Sequence, residues 1–156
     1  MALGDMFLKV DGCKGESQDA AHGGEIEVVS WSWGMRSSTS LGGAGAAGKS
    51  TINELQVTKR ADSASTALMS IMRNNKQVGK VVLTVRKAGG SPLEYLKITL
   101  QNARITCIDV ASGAIGDQAE IIEQVSFAFK RVNVEYIPQG ADGQAQGSTT
   151  FTAEIE

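Results

Sequence analysis

Residues 43–50 read Gly43-Ala44-Gly45-Ala46-Ala47-Gly48-Lys49-Ser50, which satisfies the phosphate-cradling pattern G-x-x-x-x-G-K-[ST]. In that chemistry the glycines let backbone N–H groups wrap the phosphates, the lysine meets the β/γ oxygens and the serine holds magnesium. Ile105-Thr106-Cys107-Ile108-Asp109 would then serve as the apolar strand ending in a metal-holding aspartate. A second candidate lies in the polar stretch Asp11–Gly24, where Glu16, Ser17, Asp19 and His22 invite a catalytic reading. A nucleophilic serine needs a positioned base and an oxyanion site. His22 is the sole histidine, and the stretch is better read as a hydrogen-bonded loop. Cys13 and Cys107 stand far apart and form no CxxC pair, so two free thiols are expected. With one histidine they are too few for zinc, which takes about four ligands. No metal site and no cofactor is expected.

A phosphate loop works only in its place, between a buried parallel strand and the helix whose N-terminus completes the anion site. Here Arg36-Ser37-Ser38-Thr39-Ser40-Leu41-Gly42 precedes the match, and Thr51-Ile52-Asn53-Glu54-Leu55-Gln56-Val57-Thr58 follows it and favours a strand. Parallel sheets also need crossovers of about a dozen residues, and one helix is expected. It follows Ser65, which can cap it, with an apolar stripe of Leu68, Met69, Ile71 and Met72, its methionines packed in the core. Arg73 and Lys76 stand near its negative end, and Asn74-Asn75 ends it. A P-loop nucleotide-binding protein is therefore kept only as the alternative. Ser37–Gly48 is long for a connector, and glycine and alanine let a backbone lie flat on another surface. Docking on a partner is the better reading.

The remaining elements follow a period of two. Asp5–Val10 reads as a first strand and Gly79–Lys87 as another, joined through a turn at Lys87–Pro92 to a partner ending at Leu100. Thr51–Lys59 and Ser148–Ile155 complete the clear strands, and Ala111–Gln118 reads as a turn between the two longest. Three strands change phase. Ile26 and Val28 share one face, whereas Val29, Trp31, Trp33 and Met35 share the other. Leu96, Ile98 and Leu100 give way to Ala103, Ile105 and Cys107, and Val125, Phe127 and Phe129 to Val132, Val134 and Tyr136. A strand that switches its buried face bends round a corner, as small barrels and orthogonally packed sheets require. The expectation is seven or eight mostly antiparallel strands around one short helix, in a single domain over residues 1–156.

The whole chain agrees. Its 156 residues are 42% hydrophobic and 21% charged, and Lys+Arg 15 against Asp+Glu 17 leave a net charge of −2. That balance gives no broad footprint for nucleic acid or anionic membrane. Asp5 and Lys9 break the N-terminal apolar stretch, so no cleaved signal peptide is expected. No run approaches the ~20 apolar residues of a membrane span, and no membrane insertion is expected.

In their order along the chain, several segments resemble one family. They are Asp5-Met6-Phe7-Leu8-Lys9, Gly15-Glu16-Ser17, Asp19, His22, Glu25-Ile26 and Ser30-Trp31-Ser32-Trp33-Gly34. Arg86–Gly90, Glu94–Leu100, Glu123–Phe127 and Tyr136–Gln139 continue the series. The chain thus resembles the hemolysin-coregulated protein (Hcp) family, the tube-forming component of bacterial type VI secretion systems. The resemblance implies a mainly β fold, a two-sheet antiparallel β-barrel with one short α-helix, similar to phage tail-tube proteins. It implies homohexameric rings stacked into a hollow tube, a contractile sheath around it and a spike protein at its tip. Small effector proteins would travel in the lumen, and no enzymatic role is implied. The protein would assemble in the bacterial cytoplasm and be secreted through the apparatus.

Two sets of residues take roles on that reading. If Trp31 and Trp33 point into the core, Ser30, Ser32 and Gly34 lie on a small, polar opposite face suited to a lumen. The loop residues Ser40, Leu41, Gly42, Gly43, Ala44, Gly45, Ala46, Ala47 and Gly48 would reach a neighbouring subunit or ring. A generic β-barrel binding module is the other competing class.

Overall fold

The computed structural model describes residues 5–38, 50–87, 93–139 and 147–155. Among them the strands are β1 (Met6–Val10), β2 (Ile26–Ser32), β3 (Met35–Ser37), β4 (Ser50–Ile52), β5 (Leu55–Arg60), β6 (Val78–Lys87), β7 (Leu93–Ile115), β8 (Gln118–Ala128), β9 (Arg131–Tyr136) and β10 (Thr149–Glu154), with one helix, α1 (Ser65–Arg73). All pairings are antiparallel. The order β10-β9-β7-β6-β1-β2-β5-β8, with β8 pairing back onto β7, closes a barrel. β3 and β4 form a separate two-stranded sheet beside it.

The corners fall where the phase changes. In β2 the ladder to β5 slips between Val28 and Ser30, so Val29 is a bulge that turns Trp31 toward the core. In β7 the turn is made at Asn102, whose φ is 53°, followed by a second slip between Ile105 and Cys107. The third change of phase is a break between two strands, because β8 ends at Ala128 and β9 begins at Arg131. Even so, β8 and β9 follow one edge of β7, with Arg104 opposite Ala128 and Gln101 opposite Arg131. Two sheets share β2 and β7. One is β10-β9-β7-β6-β1-β2, through the first half of β7 and the start of β2; the other is β2-β5-β8-β7, through their later halves.

The core is apolar side chains from both inner faces, including Leu8, Ile26, Leu55, Leu83, Ile98, Leu100 and Phe127, with Leu68 of the helix. The helix differs from expectation in two ways. Ala64 is its N-cap, and Asp62 Oδ1 accepts the Ala64 N–H at 3.0 Å, which leaves the Ser65 hydroxyl to turn inward. Met69 and Met72 are exposed, because the helix buries only the narrow stripe of Ser65 and Leu68. Its end at Asn74-Asn75 is as expected, with Asn75 in the left-handed region at φ 51°. Ala111–Gln118 is mostly strand, since the ladder continues to Ile115↔Gln118. Small residues in this stretch suggested a longer turn, but only Gly116, at φ 61°, needs one. Thr51–Lys59 divides into β4 and β5.

Candidate assembly interface

Residues directly opposite in an antiparallel ladder share a face, so the registers assign every side chain of the β2-β5-β8-β7 sheet. Trp31, Val57, Val125 and Ile108 form one inward row, and Val28, Lys59, Glu123 and Val110 the next along the barrel. The outward face carries Ser30, Thr58, Gln124 and Asp109 in one row and Ser32, Gln56, Ser126 and Cys107 in the other. Trp31 and Trp33 pack against the core, while Ser30 and Ser32 are exposed. The structure therefore extends the two predicted serines into a field of hydroxyls and amides, with charged Asp109, Arg36, Glu54 and Arg60 at its borders. Gln56, Thr58 and Gln124 carry no mark of their own in the sequence, although each is the polar partner in an alternating run. Gly34 stands at the end of this field, next to Ser32 and Gln56. It lines a cleft of about 660 Å³ at the root of the β3–β4 hairpin, together with Ser32, Trp33, Arg36 and Glu54.

The sheet's outer edges lack strand partners among the described residues. Beyond Ala103, β7 leaves β6 behind, so one edge of its later half is unpaired. β10 ends the order of the other sheet. Exposed Val110, Ile121, Tyr136 and Phe151 accompany these edges. Unpaired edges with apolar neighbours are templates for another chain.

The loop with Glu16, Ser17, Asp19 and His22 is a strap tied down by charge. Ser17 N–H donates to Glu25 O at 2.9 Å and Gly15 N–H to Gly24 O at 2.7 Å. At Gly15 a Cβ would sit 2.5 Å from the Glu25 carbonyl oxygen, so only glycine allows that approach. His22 stacks on Phe7 at 4.5 Å, with Nδ1 3.0 Å from Glu25 Oε2 and Nε2 2.6 Å from Glu94 Oε2. Ionised carboxylates only accept, so this arrangement favours the protonated ring, and both nitrogens are engaged. Burial pulls the His22 pKa down, but hydrogen bonds to Glu94 and Glu25 outweigh it and hold it above its ordinary value. No nitrogen is left to take a serine's proton. Arg86 donates to Asp19 at 2.8 and 3.0 Å and to Asp5 at 3.0 Å, and its guanidinium lies 5.0 Å from the Phe7 ring centroid. The Arg86 hydrogen bond holds Asp19 down to about 2.

A buried cluster went unseen in the sequence. Lys59 Nζ lies 2.7 Å from Glu123 Oε1, 2.9 Å from Asp62 Oδ1 and 3.2 Å from Ser65 Oγ. Ser65 Oγ donates to Glu123 at 2.8 Å. The parity of β5, with Leu55, Val57 and Lys59 alternating, was the available signal. Both thiols are free and held protonated, Cys13 mainly by burial and Cys107 mainly by its hydrogen bond to Asp109. No group of acidic, histidine and cysteine side chains among the described residues is placed to hold a metal. Gly43–Lys49 of the phosphate-loop match lies outside the described residues, as do Ser40–Gly42. Its flanks are paired antiparallel strands, Met35↔Ile52 to Ser37↔Ser50, where a nucleotide site requires a parallel strand and a helix.

A closed barrel with a polar field on one sheet and unpaired edges beside it has the features of a structural subunit that pairs with another chain. Residues 7–136 match the family described as "Type VI secretion system effector, Hcp". The chain belongs to that family and is a tube subunit of a type VI secretion system. It is 42% identical over 146 residues to Protein hcp1 of Pseudomonas aeruginosa, covering 92% of this chain and 89% of the relative. Hcp1 of Salmonella typhimurium is 31% identical with a TM-score of 0.79, covering 98% of this chain and 95% of that one. A type VI secretion system effector from Yersinia pestis is 30% identical with a TM-score of 0.77, covering 97% and 100%.

Proposed function

We propose that six copies close into a ring through the edges of the β2-β5-β8-β7 sheet, and that rings stack into a hollow tube. A contractile sheath propels the tube, a spike protein tips it, and small effector proteins ride protected in its lumen. The observation that carries this is the two-faced sheet: core on one side, Ser30, Ser32, Gln56, Thr58 and Gln124 on the other. Neighbouring strands alternate in direction, so the outer β7 edge of one copy meets the outer β2 edge of the next antiparallel. Six such sheets make a continuous wall whose inner face presents hydroxyls and amides around Ser30 and Ser32, with Gly34 at its end. A heterologous contact that closes by rotation gives the ring, and one that does not close gives the stack. The segment Ser40–Gly48 reaches a neighbouring subunit or ring. The role is structural and non-enzymatic. Assembly takes place in the cytoplasm, the tube leaves through the apparatus, and nucleic acid and membrane insertion play no part.

Electron microscopy of the purified chain tests the reading. Six-fold rings with an open centre are expected; a chain that stays monomeric at high concentration and binds ATP with magnesium would overturn it. Ser32→Gln places a longer amide on the inner face. Rings should persist while retention of a co-expressed small effector falls, and dissolved rings or unchanged retention would count against the lumen position.

A further inference from the structure

Past Arg60 the barrel wall narrows to two strands. β5 pairs with β8 only as far as Arg60↔Ile122, whereas Ser112–Ile115 and Gln118–Ile121 continue together to the tip at Gly116-Asp117. A two-stranded ribbon is marginal alone in water. This one has Val110 50% and Ile121 55% exposed beside it, and one edge of β7 is open. Its direction must be fixed from its root.

The root holds the buried cluster. Ala61 N–H donates to Ile121 O at 3.0 Å, the last backbone bond tying the ribbon to the wall. Directly behind it, Lys59 of β5 is fully buried and Glu123 of β8 is 2% exposed, and the two stand opposite each other. Asp62 belongs to the turn before the helix and Ser65 to its first turn. Strand, ribbon and helix thus converge on one ammonium. Its three donors, directed at Glu123, Asp62 and Ser65, impose an orientation that an apolar side chain of the same volume would not.

We propose that the Lys59–Glu123–Asp62–Ser65 cluster positions the β7–β8 ribbon, holding the open edge of β7 at the angle at which a second copy pairs with it. The inference rests on the ring reading. Lys59 is here a positioning residue, and its loss acts on assembly beyond its effect on folding.

The test uses Lys59→Met, which strands Glu123, and the double variant Lys59→Met/Glu123→Met, which removes the pair. Replacing both members of a buried pair by apolar side chains is close to neutral for folding. The double variant should therefore match the wild-type urea midpoint at a concentration where both are monomeric. Its half-assembly concentration, read by sedimentation, should nevertheless rise ~10-fold or more, equivalent to ~1.4 kcal/mol. Amides of residues 111–122 should exchange faster in its monomer by about the same factor. A double variant that assembles and exchanges like wild type overturns the proposal, even if Lys59→Met alone does not fold. A wild-type chain that forms no rings overturns the ring reading, and ribbon exchange in the monomer then decides the positioning by itself.

Discussion

Two charged clusters brace this barrel, and they differ in what water can reach. The Lys59 cluster is sealed between β5, β8 and the helix, and both members of its central pair are buried. The His22–Arg86 cluster ties the strap to β6 and β7, and its carboxylates Asp5, Asp19 and Glu94 remain 24–34% exposed. Coulomb attraction grows in a sealed site, but so does the cost of leaving either partner alone. The sealed cluster therefore behaves as an all-or-none unit. The open one is a set of separable contacts that solvent and protons can adjust.

Removing one partner from the sealed unit should show the largest effect. Glu123→Ala leaves Lys59 buried without its closest counter-charge and should cost about 3–5 kcal/mol, read from the urea midpoint. A loss under ~1 kcal/mol would mean that water reaches Lys59, and the contrast would collapse.

The open cluster should answer to pH instead. The folded state holds the His22 proton more tightly than the unfolded chain, where histidine titrates near 6.5. Its stabilisation is full below that value and fades as pH rises through the higher folded-state pKa. One proton sets the limit at about 1.4 kcal/mol per pH unit. His22→Gln should flatten the fall of the urea midpoint as pH rises above 6.5, and a wild-type midpoint that rises there would contradict a proton held between Glu25 and Glu94. Asp19 works in the opposite sense: its contribution is complete above the ordinary 3.8 and is lost only as pH falls toward 2.

The smallest effect belongs to a pair outside both clusters. Arg131 and Glu154 meet at 2.9 Å with side chains 45% and 71% exposed. Arg131→Ala should shift stability by no more than about 0.5 kcal/mol. A shift above ~1 kcal/mol in thermal or urea unfolding would show that burial is not what ranks these pairs.

Much of the fold was legible because its corners leave a mark on side-chain parity. The slip after Val28 in the sequence is the slip in the ladder, and the change near Gln101-Asn102 is the left-handed Asn102. What failed did so for local reasons. Gly113 and Ala114 resemble turn residues, yet they sit in a ladder, and a Cβ at Gly113 would come within 2.9 Å of Ile122. Met69 and Met72 have the spacing of a core stripe, but the helix lies on the barrel along a narrower line. Trp31 and Trp33 pointed to Ser30 and Ser32 because the alternation is local. Gln56, Thr58 and Gln124 join them only through cross-strand registers that pair residues far apart in the chain. Lys59 was hidden because a charged residue at the end of a strand reads as solvent-facing until Glu123 and Asp62 are placed around it.

The passage of β7 through both sheets also has a mechanical meaning. This one strand of 23 residues is gripped by β6 and β9 along its first part and by β8 along the rest. Pulling the sheets apart at that corner would strain covalent backbone, whereas an ordinary sheet boundary opens by unzipping hydrogen bonds one after another. At the other corner β2 bridges the sheets in the same way. In a tube subunit, a load entering through one sheet would cross to the other along these two continuous chains.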